Sequence, residues 1–227
     1  MLGALDQSAP NHIGLDAMSA PIELSALDLS AMLCSKVCHD VINPVAAMEN
    51  GFQLLEMDQK PESREEAMKL IQHSAVQATA KLKYARIAFG SSGSPTAQVD
   101  VGDAGDLGRQ LFEPEIKVAF TIPKTLLAKN RVKLLLNMML IAAGAVSRGG
   151  TMKVDPIGSG ETMGFTVKVE AERVRMHPST ESLLAGTPAE ALTAQTIQPF
   201  YTGLLAREQG MKLTLAAEAG SATLAAQ

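Results

Sequence analysis

LDLSAMLCSKVCHDVINPVAAMENGFQLL, residues 27–55, is the stretch on which the fold turns. Its apolar side chains fall at Leu29, Leu33, Val37, Val41, Pro44, Met48, Phe52 and Leu55. Steps of mostly four and three trace one stripe along an α-helix. Gln59-Lys60-Pro61-Glu62-Ser63 interrupts the pattern, with Pro61 placed to end one helix near the start of the next. A second stripe follows at Met68, Ile71, Ala75, Ala78, Leu82, Ala85 and Phe89, a heptad seam. It ends at Gly90-Ser91-Ser92-Gly93-Ser94-Pro95, flexible by composition. Residues 23–90 therefore read as an antiparallel helical hairpin, after a flexible segment at 1–22 and before a linker at 91–98. Two amphipathic helices cannot cover both of their own stripes. Pairing with a second copy would do so, giving a dimeric four-helix bundle, and docking on the chain's own C-terminal half is the alternative.

Downstream, over residues 99–227, the periodicity changes. Ile116 to Ile122 alternates like a strand, and Arg131 to Val146 reads as a helix. Thr151–Val154 and Phe165–Val169 read as strands, with Gly158-Ser159-Gly160 as the turn between them. Residues 181–209 read as largely helical, and Lys212–Leu215 with Ala222–Leu224 as a last hairpin over Gly220. The fold class expected is α+β, a helical hairpin followed by an α/β sandwich with helices on one face of an antiparallel-leaning sheet.

Composition narrows the function. Aromatic residues are 4% of the chain and the net charge is −4, which argues against nucleic acid as a partner. Cys34 and Cys38 stand one helical turn apart and project sideways, so no disulfide framework is expected. The histidines His12, His73 and His177 are scattered, and no metal site is expected either. The N-terminus lacks the pattern of a signal peptide, and the apolar run Leu134–Val146 is too short to span a bilayer. A cytoplasmic protein without a membrane partner is the expectation.

On a helical wheel, His39 falls roughly 200° from the centre of the first stripe and so points to solvent. Ser35, Asn43, Ala46 and Asn50 share its face, all small or short and polar. An imidazole in water is largely neutral at cellular pH and therefore nucleophilic. Asp40 flanks the core boundary, where it could orient the ring or accept its proton. Lys36, one turn earlier, could offset charge on a phosphoryl group. Pro44 removes a helical hydrogen bond one turn beyond His39 and is expected to kink the helix.

His39-Asp40-Val41-Ile42-Asn43-Pro44 resembles the phosphoacceptor box of two-component sensor histidine kinases. The C-terminal half resembles their ATP-binding domain, of Bergerat-like fold. Arg131 to Ala142 is similar to the helix of the kinase N box, Arg148–Val154 to the strand after it, and Phe200–Leu205 to a residual G2 box whose glycines are reduced to Gly203. The departures fall on the nucleotide site. Where the family's metal-coordinating Asn would stand, four residues after Asn137, this chain has Ile141. No Asp-x-Gly-x-Gly motif follows the second strand, where Glu170-Ala171-Glu172-Arg173-Val174 stands. Asp155-Pro156-Ile157-Gly158-Ser159-Gly160 has the glycines but sits between strands.

An intact histidine box beside a ruined nucleotide site resembles the ChpT-type histidine phosphotransferases of alphaproteobacteria. That resemblance implies a homodimer that takes a phosphoryl group on His39 from the receiver of a CckA-like hybrid kinase. It implies transfer onward to CtrA-like and CpdR-like response regulators. It implies no cofactor of the chain's own, Mg²⁺ being supplied by the receiver, and no autonomous ATP-dependent kinase activity. Receivers would dock on Ser35, Lys36 and Asn50, with Gln72 and His73 from the second helix. Asn43, where kinases place Thr or Asn, could hold a water for receiver dephosphorylation or merely solvate the helix. An ATP-dependent autokinase and an inert dimeric scaffold that binds receivers are the alternatives.

Overall fold

A computed structural model describes residues 20–57, 60–90 and 97–227. Helix α1 runs from Ala26 to Met57 and α2 from Pro61 to Ala88. Ser25 caps α1, its Oγ accepting the Asp28 N–H at 3.0 Å and donating to the Asp28 carboxylate at 2.7 Å. Pro61 opens α2, where the missing N–H costs nothing. The helix α1 continues through Pro44 without interruption. Pro44 and Gly51 are its buried residues, Gly51 lying against Ala67 and Ile71 of α2. The turn at 58–59 and residues 91–96 of the expected linker lie outside the described residues, as do residues 1–19.

The C-terminal part begins with strand β1 (Gln98–Asp100), one residue inside the expected linker, and helix α3 (Val101–Phe112). Strand β2 (Ile116–Phe120), strand β3 (Leu126–Ala128) and helix α4 (Lys129–Gly144) follow. Strands β4 (Gly150–Ile157) and β5 (Gly164–Glu170) then form a hairpin around a single 3₁₀ turn. Helices α5 (Thr180–Ala185) and α6 (Ile197–Glu208) precede the last hairpin, β6 (Leu213–Glu218) with β7 (Ser221–Ala226). The main sheet has the order β2-β4-β5-β7-β6, with β2 parallel to β4 and the remaining pairs antiparallel. Alternation along the strands does the sorting. Met152, Val154, Phe165, Val167, Val169 and Leu224 are buried, while Thr151 and Lys153 face out. No helix among the described residues is long and apolar enough to cross a membrane.

Helix α3 and the two-stranded β1–β3 pair are the elements that periodicity missed. Gly102, Gly105 and Gly108 lower the helix propensity of α3. Two of them are there for contact: a Cβ on Gly105 would stand 2.8 Å from the Phe120 ring, and one on Gly108 2.4 Å from Met139 Cε.

The hairpin is joined to the C-terminal part by buried polar contacts. Tyr84 on α2 is 1% exposed, lies edge-on to Phe112 at 5.6 Å, and donates its hydroxyl to the Leu136 carbonyl at 2.8 Å. Burial pushes its phenol well above the usual pKa, so it remains a donor. One helical turn on, the Ala88 carbonyl accepts Asn137 Nδ2 at 3.0 Å. At the same end of the hairpin, on α1, Leu29, Met32 and Leu33 pack on Leu183, Ile197 and Phe200. The Ile22 N–H donates to the Gly186 carbonyl at 2.8 Å, so the end of the segment expected to be flexible is tied down. Docking on the chain's own C-terminal half thus covers part of the hairpin. It leaves Val45, Phe52, Met68 and Leu82 exposed.

Tyr84→Phe removes one buried hydrogen bond without removing the ring. We expect a loss of about 1 kcal/mol in unfolding free energy by chemical denaturation, while a loss indistinguishable from zero would discount the joint.

Candidate active site

His39 lies near the middle of α1, its side chain 59% exposed, away from both α2 and the C-terminal part. Asp40 is the next residue on the wheel toward the core, and its Oδ1 stands 3.6 Å from His39 Nδ1. That is close enough for electrostatic orientation and too long for a hydrogen bond. Nε2 is the ring nitrogen turned away from Asp40. Lys36, expected to reach toward a phosphoryl group, instead pairs with Asp40 Oδ2 one turn along the helix. An ion pair at i and i+4 satisfies both charges locally, which explains the difference.

A second lysine completes the cluster, and the sequence reading missed it. Lys81 of α2 donates from Nζ to the backbone carbonyl of Asp40 at 2.9 Å. In a regular helix that carbonyl would accept the N–H of residue 44. Proline has none. Pro44 marks a carbonyl open to another donor, and the hairpin's register brings α2 near residue 80 beside it. Asp40 and Lys81 share a cavity of about 310 Å³ between the hairpin and the C-terminal part, walled by Val37, Val41, Tyr84 and Phe89.

Ser35 and Asn43 flank His39 by one turn on either side, both exposed. Asn50 is exposed but 11 residues further along α1, roughly 16 Å up the axis. Gln72 and His73 are exposed on α2, where His73 Nε2 accepts from Gln77 Nε2 at 2.9 Å. The Asp40–Lys81 contact sets the register and puts His73 level with about residue 48, roughly 13 Å from His39 along the axis. The expected patch is thus an elongated face: His39, Asp40 and Lys36 are brought together, whereas Asn50, Gln72 and His73 stand apart from the ring. Cys34 and Cys38 are exposed free thiols.

The positions of the C-terminal half that would be expected to hold a nucleotide and its metal do not fit that group. Ile141 is buried and offers no oxygen ligand. Asn137 is fully buried, and its amide is spent inside the protein. Nδ2 donates to Ala88 and Lys133 carbonyls, while Oδ1 and the backbone oxygen accept from Gln198 Nε2 at 3.2 and 2.9 Å. The residual G2 stretch, Phe200–Leu205, lies wholly within α6, where Gly203 serves helix packing and not a phosphate. Restoring one ligand should therefore achieve nothing: Ile141→Asn is expected to show no heat of ATP-Mg²⁺ binding by calorimetry, and measurable binding would refute this account.

The sequence pattern of the histidine phosphotransferase C-terminal domain matches residues 101–221. The chain belongs to the histidine phosphotransferase family. The protein phosphotransferase ChpT of Brucella abortus (strain 2308) is 46% identical over 213 residues, covering 92% of this chain and all of that protein. A solved structure of a bacterial phosphotransferase superposes with a TM-score of 0.83 at 43% identity, over 92% of this chain and 100% of that one. The histidine kinase domain of the blue-light activated histidine kinase of Erythrobacter litoralis matches with a TM-score of 0.46 at 14% identity, over 88% and 94% of the two chains. The family reading made from the histidine box and the altered N box therefore holds, as does the fold class.

Proposed function

We propose that this family member is the middle carrier of a phosphorelay, with His39 as its phosphoacceptor. Nε2 attacks the phosphorus of a receiver's aspartyl phosphate in line. The N–P bond forms as the P–O bond to the aspartate breaks, and the carboxylate leaves with the electron pair. Asp40, held by Lys36, stabilises the positive charge that develops on the ring through its Nδ1 side. A second receiver's aspartate reverses the step and takes the phosphoryl group on. Mg²⁺ comes with the receiver, whose acidic pocket needs it to neutralise the phosphoryl oxygens, so the chain contributes the nucleophile and its orientation.

One observation carries the reading: an exposed imidazole shares its chain with a C-terminal half whose expected nucleotide-coordinating positions are apolar or spent. The exposed Phe52 and Leu82, 55% and 51% accessible, support a second copy covering the hairpin and completing a four-helix bundle. Ser35 and Asn43 would meet the receiver around His39, with Asn50, Gln72 and His73 at its far margin. Asn43 would present its amide where it can hold a water against the receiver's aspartyl phosphate. A hybrid kinase's CckA-like receiver as donor, CtrA-like and CpdR-like regulators as acceptors, and a cytoplasmic site of action follow from the same reading.

The test is incubation with a receiver labelled through its aspartate, with Mg²⁺ present. Label is expected to move to this chain in an acid-labile, base-stable form and then to a second receiver. Label that stays on the first receiver, or that arrives from ATP without any receiver, would overturn the reading.

A further inference from the structure

Pro44 leaves the Asp40 carbonyl without its helical donor, and the nearest replacement comes from 41 residues away in the chain, through Lys81. We propose that Lys81 is a positioning residue for phosphotransfer, holding the Asp40 backbone, and through it the His39 ring, by capping the carbonyl that Pro44 exposes. The consequence for transfer rests on the proposed role of His39, while the geometry does not.

A carbonyl that leaves water and finds no donor is costly, so the pairing has a reason to persist. The surrounding walls, Val37, Val41, Tyr84 and Phe89, are short of hydrogen-bond donors on this side of α1. Asp40 is then held twice: its carboxylate by Lys36 and its main chain by Lys81. Two anchors fix where Oδ1 stands relative to His39 Nδ1, and hence which ring nitrogen faces outward. Lys81 reaches Asp40 from α2, and its ammonium is engaged by the Asp40 carbonyl, so it acts through Asp40. Loss of the anchor would let the helix relax around residue 40 and blur the ring's orientation, to which in-line transfer is sensitive.

Pro44 and Lys81 are then coupled, and a double-mutant cycle in the full chain reads that coupling. Lys81→Met is expected to lower the maximal transfer rate from a phosphorylated receiver about tenfold with little change in KM. Lys81→Arg, which keeps a donor, should recover most of the loss. In a Pro44→Ala background residue 44 regains its N–H and serves the Asp40 carbonyl itself, so Lys81→Met should cost less than about twofold. Equal losses in both backgrounds, no loss in either, or a change confined to KM would each overturn the proposal. The same four proteins are compared, without any phosphoryl donor, by ¹⁵N spectra of the His39 ring. The balance of its two nitrogens should shift with Lys81→Met and return with Pro44→Ala. A wild-type chain that accepts no label would defeat the relay reading, yet the spectra would still decide the role of Lys81. If Lys81→Met does not fold, Lys81→Gln replaces it in the cycle.

Discussion

His39→Gln is expected to fold and bind receivers like the parent chain, and to take up no phosphoryl group. Glutamine keeps a polar side chain of similar reach at an exposed position, where substitutions usually change stability by less than about 0.5 kcal/mol. It has no ring nitrogen able to form the N–P bond, and His39 is the histidine that stands beside Asp40. Transfer should fall on the order of a thousandfold or more, since a nucleophile removed from a covalent route leaves only binding and positioning. Label on the chain after receiver incubation is the measurement. Label that persists on the variant would place the acceptor elsewhere, and normal cellular function without label would favour a scaffold that only binds receivers.

Gly203→Ala carries the largest expected cost to folding. Helix α6 crosses α5 so closely that a Cβ at residue 203 would stand 1.9 Å from the Leu184 carbonyl oxygen. That oxygen is backbone and cannot swing aside. It is also pinned by Arg207, whose Nη1 donates to it at 2.8 Å from one turn further along α6. The helices would have to separate, opening the cluster of Leu183, Ile197 and Phe200 on which Leu29, Met32 and Leu33 of α1 rest. Overpacking against main chain of this kind should cost more than about 3 kcal/mol, a large share of the roughly 5–15 kcal/mol that holds a domain together. A fall in melting temperature of roughly 10 °C is the corresponding reading. A change below about 1 kcal/mol would mean that the two helices can part freely. Because α1 rests on this cluster, receiver phosphotransfer should weaken along with stability.

Much of the architecture is visible in periodicity alone. The stripes from Leu29 to Leu55 and from Met68 to Phe89 give the hairpin, and the exposed side of His39 follows from the wheel. The β4–β5 and β6–β7 hairpins are equally legible, because alternation and glycine turns are local. What escaped is non-local. Helix α3 is hidden by glycines whose purpose, room for Phe120 and Met139, exists only in the folded chain. Gly203 reads in sequence as a remnant of a phosphate loop, and only the approach of Leu184 shows its present use. The Lys36–Asp40 pair is the local exception, an i, i+4 contact that the wheel itself allows. Lys81 is the instructive miss: the missing N–H of Pro44 announces a vacant acceptor, and the antiparallel register says which stretch of α2 lies beside it.

The joint made by Tyr84, Asn137 and Ala88 has a thermodynamic consequence for partners. A kinase whose catalytic half must travel to its histidine gives up orientational freedom each time the two meet. Here the two halves are already bonded through buried groups, so a receiver touching both would arrest no internal hinge. Its association would lose only the partners' overall tumbling and the rotamers at the contact. A weak, fast encounter can then still be a well-oriented one, which suits the proposed carrier, since such a protein must let go of each partner as readily as it meets the next.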